Sequence, residues 1–248
     1  MGIYLRQLTV NKNLSKQIGP TDTALAGKGV ESIKLKAKAI LFDLDGTIVD
    51  SKEAYFEAAR RAFATTGKET SDIKVMIEIP KRLEQNMPIN DLINGIDLDR
   101  FLQTYLKAYY EATASMTEPF PNIADTLKKL SEKVKLALTT RRHVPAKEVF
   151  RQLEEFGLAK YFQKVMTALD TLNPKPSPEA LLECSKQLKV KACECVVVGD
   201  SVVDIRAGKN AGAKTVAVLS GIFSREELEK EKPDLILRNV KELPDFIK

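Results

Sequence analysis

From residue 38 onward the chain alternates short apolar runs with longer stretches whose apolar residues recur every three or four positions. The runs at 39–43, 134–139, 164–167, 195–199, 215–219 and 234–237 predict strands, and several are continuously apolar, as strands covered on both faces are. Strands separated by amphipathic helices predict an α/β fold, a Rossmann-like three-layer domain with a central parallel sheet. The rhythm breaks between the first and second strands. Residues 51–118 carry only helical periodicity, in Tyr55, Ala59, Ala62 and Phe63 and again in Leu98, Phe101, Leu102, Tyr105 and Tyr109. Asp50 and Glu53 have the spacing of a capping box at the start of this stretch, and Pro119 and Pro121 punctuate its end. The expected organisation is a sheet domain of 37–50 and 119–248, a small helical cap of 51–118 inserted after the first strand, and an N-terminal extension of 1–36. Two connections tethering a small helical unit are what a closing lid requires.

Composition narrows this reading. With 248 residues, 27.6 kDa and 44% hydrophobic content, the chain is large enough for one sizeable core with an insertion, which excludes a disordered chain and a disulfide-stapled miniprotein. The formal charge of +5 comes from basic residues interspersed with acids, a solvated surface and no nucleic-acid footprint. Cys184, Cys193 and Cys195 form neither a zinc spacing nor a CxxC, and an odd number of thiols suits a reducing cytoplasm. No apolar run approaches the roughly 20 residues of a membrane span. The opening Met1-Gly2-Ile3-Tyr4-Leu5-Arg6 lacks the apolar core of a signal peptide and the hydroxyl residue of a myristoylation site. A cytoplasmic protein is expected.

The candidate chemistry lies at strand ends. The first strand runs into Asp43-Leu44-Asp45-Gly46-Thr47, and residues two apart on an extended segment project to the same side. Asp43 and Asp45 therefore face one site beyond the carboxyl edge of the sheet, where ligands of parallel α/β folds bind. Taken alone, this segment also reads as an Asp-Gly turn. The second strand ends at Thr139-Thr140-Arg141-Arg142, and either threonine could simply cap the helix that follows. Lys175 precedes a helix with Ser177 as the expected N-cap and Pro178 at the first helical position, a suitable anion site that is also compatible with a plain surface lysine. The fourth strand leads to Gly199-Asp200-Ser201-Val202-Val203-Asp204. There Ser201 and Asp204 can form a capping box, while Asp200 suits a magnesium ligand. Gly208 and Gly212 read as close helix packing and a helix end. His143 reads as an exposed helix-entry residue and Arg141 with Arg142 as an ordinary basic face. Lys81, Arg82 and Gln85 are cap positions that could reach over the site, with no feature choosing among them.

These four segments, in this order at successive strand ends, resemble the haloacid dehalogenase superfamily of aspartate-nucleophile phosphatases, whose motifs are DxDGT, a Thr or Ser after an apolar strand, a Lys, and GDxxxD. The resemblance covers residues 38 to about 219, and the insertion is similar to the cap of the phosphoglycolate phosphatase and β-phosphoglucomutase branch. It implies Asp43 as nucleophile and Asp45 as general acid and base, with Thr139 and Lys175 holding the phosphate. It further implies Asp200 as ligand to Mg²⁺ together with Asp43 and the Asp45 backbone carbonyl, and Asp204 in support. The implied substrate is a small phosphorylated metabolite, phosphoglycolate among the candidates. Two positions depart from the family pattern: Thr140 stands where Asn often follows the motif threonine, and Pro121-Asn122 where glycine commonly follows proline. Asn tolerates left-handed backbone, so the second change is mild. A dehalogenase has no need of an acid at Asp45, which favours a phosphatase or a phosphomutase. A non-catalytic protein binding Mg²⁺ and a phosphorylated ligand is the alternative from another class, and retention of both aspartates argues against it.

Overall fold

The computed structural model describes residues 34–67 and 72–248. Six parallel strands, β1 (Ala39–Phe42), β4 (Lys135–Thr139), β5 (Lys164–Met166), β6 (Cys195–Gly199), β7 (Lys214–Val218) and β8 (Leu235–Leu237), form one sheet in the order β5-β4-β1-β6-β7-β8. Each lies within one residue of a run expected from the sequence. Alternation along the central strands divides two cores. Ile40 and Phe42 of β1, with Leu136, Leu138, Val196 and Val198, pack under helices α5 (Ile123–Ser131) and α6 (Ala146–Glu155). Ala39, Leu41, Ala137 and Val197 face the opposite way, against α7 (Glu179–Gln187) and α8 (Val202–Asn210). The three-layer Rossmann-like architecture follows. Leu35, at the end of the expected extension, is buried in the first of these cores and bridges to Ile247. Residues 1–33 of that extension lie outside the described residues.

Register aligns the strand ends. Phe42 is level with Leu138 on one side and Val198 on the other, so Asp43, Thr139 and Gly199 leave the sheet together. The Asp43 amide donates to Val198 O at 2.8 Å, extending this order one residue beyond β1.

Between β1 and β4 stands a separate helical unit of α1 (Lys52–Ala64), α2 (Ile73–Glu84), α3 (Asn90–Ile93) and α4 (Leu98–Ser115). Its core, including Ala58, Ala59, Ala62, Phe63, Ile79, Phe101 and Tyr105, is distinct from the two beside the sheet. The alanines of α1 let α4 approach closely, and Tyr55 stacks on Tyr109 with ring centroids 5.2 Å apart. The purely helical expectation for this region missed its ends. Val49–Asp50 (β2) pairs antiparallel with Glu118–Pro119 (β3), so the two connections are joined as a small ribbon. This also overturns the capping box expected at Asp50 and Glu53: Asp50 is extended in the ribbon, Ser51 is the N-cap of α1, and its hydroxyl is used elsewhere. Past the ribbon, Asn122 adopts φ 63°, the left-handed backbone that asparagine tolerates at this departure from the family pattern.

Candidate active site

Asp43, at the end of β1, is buried and accepts a 2.8 Å hydrogen bond at Oδ1 from Lys175 Nζ. The same ammonium donates to Asp204 Oδ1 at 2.8 Å and to the Thr139 carbonyl at 2.9 Å. One buried lysine thus ties together the ends of β1 and β4, the loop before α7 and the start of α8. Burial alone would pull its pKa down, but the carboxylates of Asp204 and Asp43 hold it above the ordinary lysine value. The pairing therefore favours the charged form of Lys175.

Asp204 carries two duties at once. Ser201 and Asp204 do form the capping box of α8, with the Ser201 hydroxyl donating to Asp204 Oδ2 at 2.7 Å, while Oδ1 takes Lys175. The structural and chemical readings of this residue are compatible because a carboxylate has two oxygens. At the other helix starts the sequence expectations shift. Pro178 already has helical dihedrals, but the first residue of α7 is Glu179, whose amide donates to Ser177 Oγ at 3.3 Å. Neither Thr139 nor Thr140 caps α6, which begins after Pro145; the Thr140 hydroxyl accepts from the Arg142 amide at 3.2 Å instead. The Thr139 hydroxyl is buried and finds no hydrogen-bond partner among the described residues.

Asp200 follows β6, and its Oδ1 accepts from Thr47 at 2.8 Å. Carboxylate oxygens of Asp43, Asp200 and Asp204 lie within 4.8 Å of one another. Burial, reinforced by these mutual charges, pushes Asp43 and Asp200 well above the ordinary carboxylate range. Backbone leaves deliberate room here: a Cβ at Gly46, which has φ 78°, would fall 2.4 Å from Asp200 Oδ2, and one at Gly221 would fall 1.7 Å from it. Three buried carboxylates, of which Lys175 pairs with only Asp43 and Asp204, make an oxygen-only setting that fits a hard divalent cation. Asp204 is already satisfied by Lys175 and Ser201, so Asp43 and Asp200 are the side chains with capacity to hold it. The Asp45 side chain is not in this cluster.

Asp45 is held from another direction. Arg142, only 5% exposed, donates from Nε to Asp45 Oδ2 at 2.8 Å and from Nη2 to Oδ1 at 2.6 Å, a bidentate ion pair. The Ser51 hydroxyl also donates to Asp45 Oδ1. Reading Arg141 and Arg142 as a basic surface was therefore wrong for Arg142. Nothing in the local pattern distinguishes two adjacent arginines, and only the path of the loop turns the second one inward. Arg141 is half-buried and donates from Nη1 to the Lys175 carbonyl. His143 is exposed, as its position at the helix entry implied.

None of the three helical-unit positions singled out in the sequence hydrogen-bonds a site residue. Lys81 reaches the sheet domain, pairing with Glu227 at 2.6 Å and lying 5.3 Å over the Phe223 ring. Arg82 turns outward to Glu78 and Asp91, and Gln85 bonds back to Lys81 O. Between them Glu84, the last residue of α2, lies within electrostatic reach of Arg141, Lys175, Asp204 and Asp45; burial pushes its pKa up to about 7. The helical period placed Glu84 on α2, but nothing in it marked this residue as facing the site.

The model of the family described as haloacid dehalogenase-like hydrolase matches residues 40–218, which contain Asp43, Asp45, Thr139, Lys175, Asp200 and Asp204. The chain belongs to that family. It is 30% identical over 217 residues to a pyrophosphatase, PpaX, of Halalkalibacterium halodurans, covering 86% of this chain and 98% of the relative. It is likewise 30% identical over 230 residues to a phosphoglycolate phosphatase of Escherichia coli, covering 83% of this chain and 90% of that one. A solved haloacid dehalogenase-like hydrolase from Streptococcus pneumoniae superposes with a TM-score of 0.72 at 20% identity, over 85% of this chain and 98% of the other, which shows the shared fold. The protein is thus a hydrolase of this family. No helix among the described residues is long and apolar enough to cross a membrane.

Proposed function

We propose that the protein is a Mg²⁺-dependent phosphatase that hydrolyses a small phosphate monoester through an aspartyl-phosphate on Asp43. The observation that carries this reading is the pairing of Asp43 with Lys175 at 2.8 Å, the same ammonium holding the carbonyl of Thr139, whose buried hydroxyl has no partner among the described residues. In this reading Asp43 supplies the nucleophile, Lys175 the cation and Thr139 an open donor for a phosphoryl group.

Asp43 Oδ attacks phosphorus in line with the leaving oxygen. Lys175 and the Thr139 hydroxyl bind the phosphoryl oxygens and take up charge as it develops. A carboxylate meeting a phosphate dianion is opposed by about 4 kcal/mol per pair of unit charges at 4 Å and an effective dielectric near 20. Asp43, Asp200 and the Asp45 carbonyl are the groups that would hold Mg²⁺, whose positive charge would offset this repulsion. Asp45 gives a proton to the leaving alkoxide and then takes one from the water that hydrolyses the aspartyl-phosphate. Asp204 keeps Lys175 aimed at Asp43. Residues 51–118 act as a cap whose underside, with Tyr55, Glu84 and Tyr109, excludes water and meets the leaving group. The protein works in the cytoplasm, in keeping with three free thiols.

The relatives put phosphoglycolate and pyrophosphate at the head of the substrates to test. Phosphate release is to be measured from 2-phosphoglycolate, pyrophosphate, sugar phosphates and nucleoside monophosphates, with Mg²⁺ or with EDTA. Release from at least one of them, lost in EDTA and in Asp43→Asn, is the expected result. Release that persists in Asp43→Asn would refute the nucleophile assignment.

A further inference from the structure

Asp45 is tied to both connections of the helical unit. On the entry side its partner is Ser51, between β2 and α1. On the exit side the tie is longer and runs through residues that no motif contains. Arg142 grips the carboxylate with two nitrogens and uses its third, Nη1, to donate to Gln152 Oε1 at 2.6 Å. Gln152, on α6 of the sheet domain, turns its amide the other way. Its Nε2 donates at 2.8 Å both to the Thr113 carbonyl, in the last turn of α4, and to the Thr117 hydroxyl, beside β3. Thr117 Oγ1 in turn donates to Thr113 O at 2.8 Å, closing a small ring of bonds at the end of α4. Every member is at least half-buried, and Arg142, Thr113 and Thr117 are fully so.

We infer that Arg142 and Gln152 form a relay that sets the side-chain position of Asp45 according to the posture of the cap. The inference rests on the phosphatase reading for its consequence, since Asp45 is the acid and base there. The physical argument is one of shared donors. Both Asp45 oxygens are occupied by Arg142, so Asp45 can swing toward a leaving group only if the guanidinium moves or releases it. The guanidinium is fixed at its far end by Gln152, and Gln152 is fixed by groups belonging to the cap's exit. A buried polar amide seeks to keep its bonds, because an unmade one costs free energy. Displacement of α4 therefore pulls on Gln152, shifts Arg142 and changes where Asp45 points. Arg142 and Gln152 are positioning residues, acting on the reaction through Asp45.

The test uses the full-length protein carrying Gln152→Met or Thr117→Val, neither of which removes a charge or much volume, and Arg142→Lys, which cannot make the bidentate grip. kcat/KM is measured with an alkyl phosphate, whose leaving oxygen needs a proton, and with p-nitrophenyl phosphate, whose leaving group does not. A relay predicts a loss of about tenfold or more on the alkyl ester for Gln152→Met and Arg142→Lys, and a smaller loss in the same direction for Thr117→Val. On the aryl ester Gln152→Met and Thr117→Val change kcat/KM by less than about threefold. Equal losses on both esters would overturn the inference, because a merely structural role harms both alike. A second readout needs no turnover. Gln152→Met is expected to lower Tm by at least twice as much in the wild-type background as in Asp45→Asn, and an equal shift in the two backgrounds would overturn the relay. If wild type released phosphate from no ester, the phosphatase reading would fail, and the Tm comparison would decide the relay by itself.

Discussion

Asp43 and Asp45 are two residues apart and are held by opposite parts of the molecule. Every partner of the Asp43 side chain comes from the sheet domain: Lys175, braced by Asp204 and the Thr139 carbonyl, in a place fixed by parallel register. The partners of Asp45 lead to the helical unit, through Ser51 on one connection and through Arg142 and Gln152 on the other. The surroundings of Asp43 are set by the sheet, whereas those of Asp45 lead to a tethered unit with its own core. The lesson is that a single pentapeptide can be anchored to two different parts of the molecule, because alternate residues lead to different neighbours.

The largest effect that would break this contrast is at the fixed end. Asp43→Asn is expected to reduce turnover by about 10⁴-fold or more, with the protein still folded by circular dichroism. Lys175→Met comes next. It leaves Asp43 and Asp204 buried without their cation, and urea unfolding is expected to show a loss of about 3–5 kcal/mol. A loss below about 1 kcal/mol would mean that the lysine does not organise this end of the sheet.

Charge and pH give a further test. Asp43 and Asp200 have pKa values above the ordinary carboxylate value of 3.8, so in the metal-free protein each contributes stability at acid pH that is lost as pH rises through its folded-state pKa. In EDTA, the Tm of Asp200→Asn minus that of wild type is therefore expected to grow as pH is raised from about 4 toward neutrality. Adding Mg²⁺ is expected to raise the wild-type Tm more at pH 8 than at pH 5, and a constant increment would contradict the assignment.

Thr139→Val separates binding from stability. Its hydroxyl has no partner among the described residues, so stability is expected to hold within about 0.5 kcal/mol while kcat/KM falls roughly tenfold or more. The smallest effect is at the cap's edge. Lys81→Met removes the ion pair with Glu227, a part-exposed contact worth about 0.5–1 kcal/mol, and a change in KM that shrinks with added salt is expected.

Much of this was legible in the chain. Continuous apolar runs located six parallel strands to within a residue, because a strand covered on both faces has no polar alternation to blur its limits. Asp43, Thr139, Lys175, Asp200 and Asp204 could be named because each follows or faces a strand end, and parallel register brings such ends to one edge. The ribbon of β2 and β3 was invisible, since two-residue strands carry no period and exist only by pairing across the long insertion that separates Asp50 from Glu118.

Local sequence by itself determined the order of elements, the two faces of the sheet, the cap of α8 by Ser201 and the position of each motif at a strand's end. These are matters of period, turn chemistry and side-chain donors acting over a few residues. Only the tertiary structure decided which of two adjacent arginines enters the site, that Asp204 serves a helix cap and a lysine together, and that Gln152 joins Asp45 to the end of α4. Such choices depend on bonds between groups far apart in the chain, and no local pattern records them, because a buried donor takes whatever acceptor the fold brings within 3 Å.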